Sequence, residues 1–139
     1  MTPYGKARYR VLAVDDDLSV LSCYRRLLDR AGYSATVEDD PRRVLQDRAG
    51  TTGVDLLLLD YRMPGMDGLT LLAELRRREC RARCILVSAY LNDAVKQQAR
   101  ALGVDRVLEK PVDVGLLRAA LDELLPVTGR KAARAGGAA

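Results

Sequence analysis

Short apolar runs alternate with longer amphipathic stretches along almost the whole chain. Between the runs, apolar residues recur every three or four positions, as expected for helices with one buried face. This alternation predicts an α/β fold of the (βα)5 type, in which helices cover both faces of a doubly wound five-stranded parallel sheet and form a three-layer sandwich. The predicted strands are residues 10–14, 34–38, 54–59, 84–88 and 105–109.

The helix boundaries carry their own signals. The first helix is expected to end before Gly32, and the second to begin with Asp40 as N-cap and Pro41 in the first turn. Three further helices are marked by apolar residues within 69–75, 95–102 and 116–124. The third strand contains four consecutive leucines, which favours burial on both faces and a central position in the sheet.

The chain length limits the number of domains. With 139 residues the chain has room for one domain of ordinary size, which we assign to residues 10–125. Residues 1–9 are expected to be an N-terminal extension, and residues 126–139 a flexible basic tail or the start of a linker. No apolar run approaches the roughly 20 residues that span a bilayer, and the N-terminus lacks the apolar core of a secretory signal. We therefore expect a cytoplasmic protein without membrane contact.

Two residue types narrow the possible chemistry. The chain has no histidine, which excludes histidine as general base, as metal ligand and as partner of a serine or cysteine nucleophile. Cys23, Cys80 and Cys84 are odd in number and contain no C-x-x-C motif. Buried or incidental thiols are therefore favoured over a disulfide framework or a zinc site.

The net charge of +4 comes from the chain ends. Six of the 23 basic residues lie outside residues 11–129, so this central part has 17 basic and 19 acidic residues. Its mildly acidic balance gives no reason to expect direct nucleic-acid binding. The one dense basic run, Arg76 to Arg78, is interpreted as a solvated helix end that interacts favourably with the helix dipole.

Polar residues follow the predicted strands where ligands bind in open parallel sheets. The first strand ends in Asp15, Asp16 and Asp17, and the third in Asp60. Converging carboxylates repel one another unless a cation is present, and hard oxygen ligands without histidine or thiolate favour Mg²⁺. Asp17 is the exception, because its place before the first helix suits an N-cap.

The fourth and fifth strands bring Ser88 and Lys110 to the same edge. A metal ion, an ammonium group and a hydroxyl group together can neutralise an anion with three oxygens, such as a phosphoryl group. Asp60 ends a run of leucines, where a carboxylate is costly to place without a function.

These residues resemble a known family. The stretches VLAVDDD, LLLLDYRMPGMDG, LVSA and EKP are similar to those of the receiver domains of two-component response regulators. The resemblance covers residues 10–125, and Asp60 lies 28 residues before Ser88 and 50 before Lys110. It implies the flavodoxin-like form of the three-layer fold. It also implies that Asp60 is the phosphoacceptor, and that Asp15, Asp16, Asp60 and the backbone carbonyl of Arg62 hold Mg²⁺.

The resemblance also implies roles for the other strand ends. Ser88 would bind a phosphoryl oxygen as the switch hydroxyl. Lys110 would pair with Asp60 or its phosphoryl group, beside a Lys110–Pro111 peptide that is usually cis in the family. One position departs from the pattern: Val107 stands where receivers usually have tyrosine or phenylalanine. Tyr90 is close enough in sequence to contribute a ring.

The implied reaction is phosphoryl transfer from a partner, a sensor histidine kinase or histidine phosphotransfer protein, followed by hydrolysis. The chain would catalyse only its own phosphorylation and dephosphorylation. Output would be a change in partner or dimer affinity, with a possible homodimer through the fourth helix, fifth strand and fifth helix. Tyr90 and Arg62 would slow hydrolysis by crowding the attacking water.

Two alternatives remain open from the sequence. The first is a phosphatase or phosphotransferase with an aspartyl nucleophile, resembling the haloacid dehalogenase family, in which a second aspartate is expected where this chain has Arg62. The second is a receiver-like interaction module that is not phosphorylated, which Val107 keeps possible. Nucleotide binding has no support, because neither of the glycine-rich phosphate-binding motifs, G-x-x-x-x-G-K-[ST] and G-x-G-x-x-G, occurs in the sequence.

Overall fold

The structure, a computed structural model, describes residues 8–126. Residues 1–7 of the predicted N-terminal extension and residues 127–139 of the predicted tail lie outside this range. Strands and helices alternate along it. The strands are β1 (Arg10–Val14), β2 (Ser34–Glu38), β3 (Leu56–Asp60), β4 (Arg83–Ser88) and β5 (Arg106–Glu109). The helices are α1 (Leu18–Arg30), α2 (Pro41–Gln46), α3 (Arg48–Thr51), α4 (Gly68–Arg77), α5 (Asp93–Ala101) and α6 (Val114–Leu124).

The five strands form one parallel sheet in the order β2-β1-β3-β4-β5. The predicted fold is confirmed, and β3 is central, with every residue buried. In the register, Val14 pairs with Leu59 and Asp60 pairs with Val87. The carboxyl ends of β1, β3 and β4 therefore lie side by side.

Alternate strand residues supply two cores, one on each face of the sheet. Leu56 and Leu58 pack with α1 and α6 on one face. Leu57 and Leu59 pack with residues of α2, α4 and α5 on the other. Because side chains of a strand point alternately to opposite faces, the leucine run serves both cores and makes β3 the middle of a three-layer sandwich.

Most helices begin at a side chain that accepts a hydrogen bond from the backbone of the first turn. Asp17 accepts from the backbone N–H groups of Ser19 and Val20, so the interpretation of Asp17 as an N-cap is confirmed. The predicted cap at Asp40 is confirmed in the same way. Polar caps thus fix the residue at which each of these helices begins after the preceding strand. The caps of α1, α2, α4, α5 and α6 are Asp17, Asp40, Asp67, Asn92 and Asp113.

The second predicted helix is divided. Asp47 leaves the helical conformation at φ −100° and ψ 85°, and its Oδ1 accepts a hydrogen bond of 3.0 Å from the backbone N–H of Gly50. The same aspartate thus ends α2 and caps the single turn α3. Aspartate competes for backbone donors in this way, which is why it disfavours helix interiors.

The basic run lies at the C-terminal end of α4, as predicted. Arg76 is half-buried rather than solvated, because its Nη1 donates to the carbonyls of Cys80 and Ala82 at 2.9 and 2.7 Å. Arg78 donates to the carbonyl of Leu45. The run therefore ties the end of α4 to the turn before β4 and to α2.

The loop after β3 is held tightly against the strand. Asp60 is the last residue of β3, one residue beyond the predicted end. The backbone N–H of Gly68 donates to the carbonyl of Tyr61 at 2.7 Å, and a Cβ at Gly68 would lie 2.3 Å from the carbonyl oxygen of Asp60. Only glycine permits this approach, which fixes the position of the loop between them.

Two further findings concern membrane-spanning helices and the cysteines. Among residues 8–126, no helix combines the length and apolar character needed to cross a membrane. The three cysteines are free: Cys23 is exposed, Cys80 is half-buried and Cys84 is buried. Burial raises the pKa of the Cys84 thiol to about 12, which disfavours the reactive thiolate form.

Candidate functional site

Three carboxylates lie together at the carboxyl edge of the sheet. Asp15 directly follows β1 and is fully buried, and Asp60 ends β3 with 6% of its surface exposed. Asp16 is exposed beside them. One oxygen from each carboxylate lies within 4.8 Å of the others. The convergence expected from the sequence is thus confirmed.

Lys110 joins this cluster from the end of β5. Its Nζ lies 3.0 Å from Oδ2 of Asp15 and 3.2 Å from Oδ1 of Asp60, and its side chain is 26% exposed. The resemblance to receiver domains implied a pairing of Lys110 with Asp60 or its phosphoryl group, whereas the ammonium contacts both buried acids. The Lys110–Pro111 peptide is cis, and the backbone N–H of Lys110 donates to the carbonyl of Ser88.

The two oxygens of each buried acid differ in their contacts. Oδ1 of Asp15 accepts a hydrogen bond of 2.9 Å from the backbone N–H of Asp17, and Oδ2 binds Lys110. Both oxygens of Asp15 are therefore engaged. In Asp60, Oδ1 faces Lys110, and no described residue donates a hydrogen bond to Oδ2.

The site holds an excess of negative charge. Burial, followed by the charge of Asp15, raises the pKa of Asp60 to about 6, although Lys110 opposes this shift. Burial also raises the pKa of Asp15 above its usual value, against the hydrogen bonds from Asp17 and Lys110. Burial alone would lower the pKa of Lys110, but its contacts with Asp15 and Asp60 outweigh burial and raise it.

The donor set fits a divalent metal ion. Asp15, Asp16 and Asp60 offer hard oxygen ligands at mutual distances that one ion can span. A second positive charge would also offset the repulsion that Lys110 leaves uncompensated. The observed cluster can therefore bind a metal ion.

Ser88 lies at the end of β4, buried and one strand away from the acids. Its hydroxyl donates to the carbonyl of Tyr90 at 2.8 Å and accepts from the backbone N–H of Tyr90 at 3.1 Å. The hydroxyl is therefore engaged with the loop that follows it, and no described residue of the acidic cluster hydrogen-bonds to it.

Val107 lies on one face of the sheet rather than in the acidic cluster. It pairs with Leu86 in the register of β4 and β5, and it packs against the core that includes Val95 and Ala99 of α5. A side chain at this position therefore lies on the face of the sheet that α2, α4 and α5 cover.

Arg62 and Tyr90 lie on the two loops next to the acids, and they contact each other. The guanidinium carbon of Arg62 is 5.6 Å from the centre of the Tyr90 ring, within the range of a cation–π interaction. Tyr90 is 68% exposed. The sequence indicated that both residues flank the site, but not that they contact each other.

Tyr24 also lies near the acids, which the helical spacing of the sequence did not indicate. That spacing predicts only a place on the apolar face of α1, and the ring does lie in the core. Its hydroxyl, however, is buried near Asp15 and Asp60, whose charges help to raise its pKa. A tyrosine among the leucines of that face, Leu21 and Leu28, was the available signal.

Comparison with known proteins agrees with this geometry. Residues 11–122 match the family model of the response regulator receiver domain. The chain is 34% identical over 109 residues to the chemotaxis protein CheY of Treponema pallidum, covering 77% of this chain and 76% of that protein. It is 36% identical over 112 residues to the DNA-binding transcriptional regulator NtrC of Klebsiella pneumoniae, covering 81% of this chain but 24% of that protein.

Solved structures are similar as well. The chemotaxis protein CheY4 of Vibrio cholerae superposes with a TM-score of 0.78 at 27% identity, covering 86% of this chain and all of that one. The receiver domain of Francisella response regulator 1452 gives a TM-score of 0.76 at 27% identity, with 84% and 96% covered. The match to the family model spans well over half of the chain. The chain therefore belongs to the response regulator receiver domains, the phosphorylatable signalling domains of two-component systems.

Proposed function

We propose that Asp60 accepts a phosphoryl group from a phosphohistidine of a partner, a sensor histidine kinase or histidine phosphotransfer protein, and later loses it by hydrolysis. Receiver domains interact with such partners, and this chain has no histidine of its own. The observation that supports the assignment is the buried Asp60, with one oxygen paired to Lys110 and the other without a hydrogen bond from any residue between 8 and 126. The chain would act as a signalling domain that catalyses only these two steps on itself.

The residues have distinct parts in the proposed transfer. Oδ2 of Asp60 attacks the phosphorus atom, a P–O bond forms, and the P–N bond to the partner's histidine breaks. The Lys110 ammonium compensates negative charge that develops on the transferred group. Asp15 holds that ammonium from the other side at 3.0 Å, so little rearrangement is needed when the charge develops.

Mg²⁺ is the proposed metal ion. The carboxylates of Asp15, Asp16 and Asp60 and the backbone carbonyl of Arg62 would hold it. When bound, it would neutralise charge on the phosphoryl oxygens and on the acids. The oxygen-only cluster supports this choice over softer metals.

Ser88 is the proposed switch hydroxyl. To reach a phosphoryl oxygen, it would exchange its two hydrogen bonds with the backbone of Tyr90 for one with the new charged group. Charge-assisted hydrogen bonds are about twice as strong as neutral ones, which supports the exchange. The loop of Tyr90 would then move, and with it the start of α5.

The proposed output is a change in affinity for a partner or for a second copy, through α5, β5 and α6. Val107 packs on the face of the sheet that α5 covers, but it cannot swing as an aromatic ring would. The loop of Tyr90 is therefore the proposed link to α5. The chain covers 76% of one relative and 24% of another. The activity of a larger protein is therefore not part of this proposal.

Two further assignments belong to the proposal. The domain is proposed to span residues 10–125. Tyr9, just before it, packs in the same core and donates a hydrogen bond to the carbonyl of Pro126, just after it, so these two flanking residues belong to the folded unit as well. A cytoplasmic location agrees with the free thiols of Cys23, Cys80 and Cys84, which a reducing compartment maintains.

The alternative function, an aspartyl phosphatase, is not favoured. Arg62 occupies the position at which such a phosphatase would have its second aspartate.

Phosphorylation of Asp60 is the first expected outcome. Incubation with Mg²⁺ and acetyl phosphate should add one phosphoryl mass to the parent protein and none to Asp60→Asn, measured on intact protein. The matched control is Asp17→Asn, which keeps a good N-cap and should be modified like the parent. Equal modification of Asp60→Asn would show that the assignment is wrong. No modification of any form would favour the interaction module.

Mg²⁺ should stabilise the unphosphorylated protein, because it relieves repulsion among the three acids. At about 100 times the dissociation constant the gain is about 2.7 kcal/mol, seen as a rise in the thermal midpoint. Asp16→Asn should reduce this rise, whereas Asp93→Asn, an exposed acid at the start of α5, should not. A parent midpoint that does not respond to Mg²⁺ would argue against a preformed metal site.

The charge of Asp60 should lower stability in magnesium-free buffer. Its pKa is about 6 in the folded protein against 3.8 ordinarily, so the folded state binds the proton more tightly and stability falls as pH rises from about 4 to about 6. Asp60→Asn should therefore be more stable than the parent at pH 7, by about 1–3 kcal/mol, and nearly equal below pH 4. Urea denaturation at both pH values measures this. A less stable Asp60→Asn at pH 7 would contradict it.

The Arg62–Tyr90 pair should prolong the life of the phosphorylated form. The contact of these side chains at 5.6 Å supports the expectation that they obstruct a water approaching in line with the bond to phosphorus. Tyr90→Ala should shorten the lifetime, followed by decay of the phosphoryl mass, and Tyr90→Phe should preserve it because the ring remains. A lifetime that is unchanged or longer in Tyr90→Ala would refute shielding and leave the receiver assignment intact.

A further inference from the structure

The loop between β3 and α4 carries the backbone carbonyl of Arg62, one of the proposed ligands of the metal ion. The two ends of this loop are joined, because the backbone N–H of Gly68 donates to the carbonyl of Tyr61 at 2.7 Å. At positions 62–66, between these ends, no hydrogen bond joins the loop to another residue of the part of the chain that the structure describes. Side-chain packing must therefore hold the middle of the loop.

Packing holds the sides of the loop but not its tip. Arg62 contacts the ring of Tyr90, and Met63 and Met66 pack against the core on the face of the sheet that α2, α4 and α5 cover. Pro64 and Gly65, at positions 64–65 between the two methionines, are exposed. The tip thus depends on contacts at the surface.

Arg42, in the first turn of α2, lies over this tip. A Cβ at Gly65 would lie 3.6 Å from the guanidinium carbon of Arg42 and 3.8 Å from both its Nε and its Nη1. Because these three distances are nearly equal, the flat face of the guanidinium group is turned toward the glycine. Gly65 has a φ of 83°, which favours glycine. The guanidinium group therefore occupies the space that a side chain at position 65 would fill.

Asp40 orients the guanidinium group. Its Oδ1 accepts a hydrogen bond of 3.3 Å from Nε of Arg42 and one of 2.9 Å from the backbone N–H of the same residue. Asp40 is itself fixed as the N-cap of α2. The Arg42 side chain is 64% exposed, so its ion pair contributes little to the stability of the whole domain. Its effect is expected to be local, on the tip of the loop.

We propose that Arg42 is a positioning residue: its guanidinium group rests on Gly65 and restricts the loop that carries the Arg62 carbonyl, so that this carbonyl is ready to bind the metal ion. A ligand that is held in place in advance loses less conformational freedom on binding. The metal-binding part of this inference rests on the proposed function, whereas the restriction of the loop in magnesium-free protein does not.

The variant Arg42→Ala tests this role, and Arg43→Ala is the matched control. Arg43 lies in the same helix and is similarly exposed, at 61%. It pairs with Glu38 and Asp39 rather than with the loop. Each variant removes one positive charge from α2, so an effect of charge alone should be similar in the two.

The first measurement is made without Mg²⁺. Order parameters of the backbone amides of Gly65 and Met66, from ¹⁵N relaxation, report the motion of the tip. They should be near the rigid value of about 0.85 in the parent and in Arg43→Ala, and should fall toward about 0.6 in Arg42→Ala.

The second measurement is the dissociation constant of Mg²⁺, obtained by titration calorimetry. Loss of a nearby positive charge by itself strengthens the binding of a cation, so Arg43→Ala should bind Mg²⁺ as tightly as the parent or more tightly. Arg42→Ala should bind it about twofold to fivefold more weakly than Arg43→Ala, because the loop must then be ordered during binding. The opposite direction of the two effects separates positioning from charge.

The outcomes separate this inference from the proposed function. If no form binds Mg²⁺, the proposed metal site fails, and the order parameters still decide whether Arg42 restricts the loop. If Arg42→Ala keeps the order parameters of the parent, or if the tip is already mobile in the parent, the positioning role is refuted. If the tip becomes mobile in Arg42→Ala but Mg²⁺ binds as in Arg43→Ala, the role in metal binding is refuted.

Discussion

The structure of the site depends on one ammonium group placed between two buried carboxylates. Lys110 lies 3.0 Å from Asp15 and 3.2 Å from Asp60, and both acids are almost completely removed from water. Two such charges would repel each other strongly in a medium of low dielectric constant. The single ammonium reduces this repulsion but does not cancel it, since the pKa of Asp60 stays near 6. The site thus retains an affinity for further positive charge.

The fold supplies this arrangement through its strand order. Because β1 and β3 are neighbours in the middle of a parallel sheet, their last residues lie next to each other beneath the loops. The close approach of Gly68 to the carbonyl of Asp60 and the hydrogen bond from Asp17 to Asp15 hold these ends in place. The favourable packing of the whole domain therefore offsets the electrostatic repulsion among the carboxylates, as is common at functional sites.

The loops around the acids connect the site with the outer surface. Ser88 is hydrogen-bonded to the backbone of Tyr90, and the Tyr90 ring lies against Arg62 on the neighbouring loop. A rearrangement of Ser88 would therefore change both loops. Val107 packs in the core on the face of the sheet that α5 covers, and its side chain is too small to follow such a movement. This receiver is therefore expected to differ from receivers with a ring there in how the signal reaches α5.

The sequence by itself determined the fold and the members of the acidic cluster. The periodicity of strands and helices is visible in short stretches of sequence. The carboxyl ends of parallel strands also meet at one edge of the sheet whatever the details of packing. Asp15, Asp60 and Lys110 could therefore be placed together from the sequence. Only the tertiary structure decided how they pair. The contact between Asp15 and Lys110 joins residues 95 positions apart, and the choice of rotamers there depends on side chains from several elements. The buried hydroxyl of Tyr24 and the helix break at Asp47 were not predicted for the same reason: a tyrosine fits an apolar helix face and an aspartate fits a helix surface until the surrounding atoms are known.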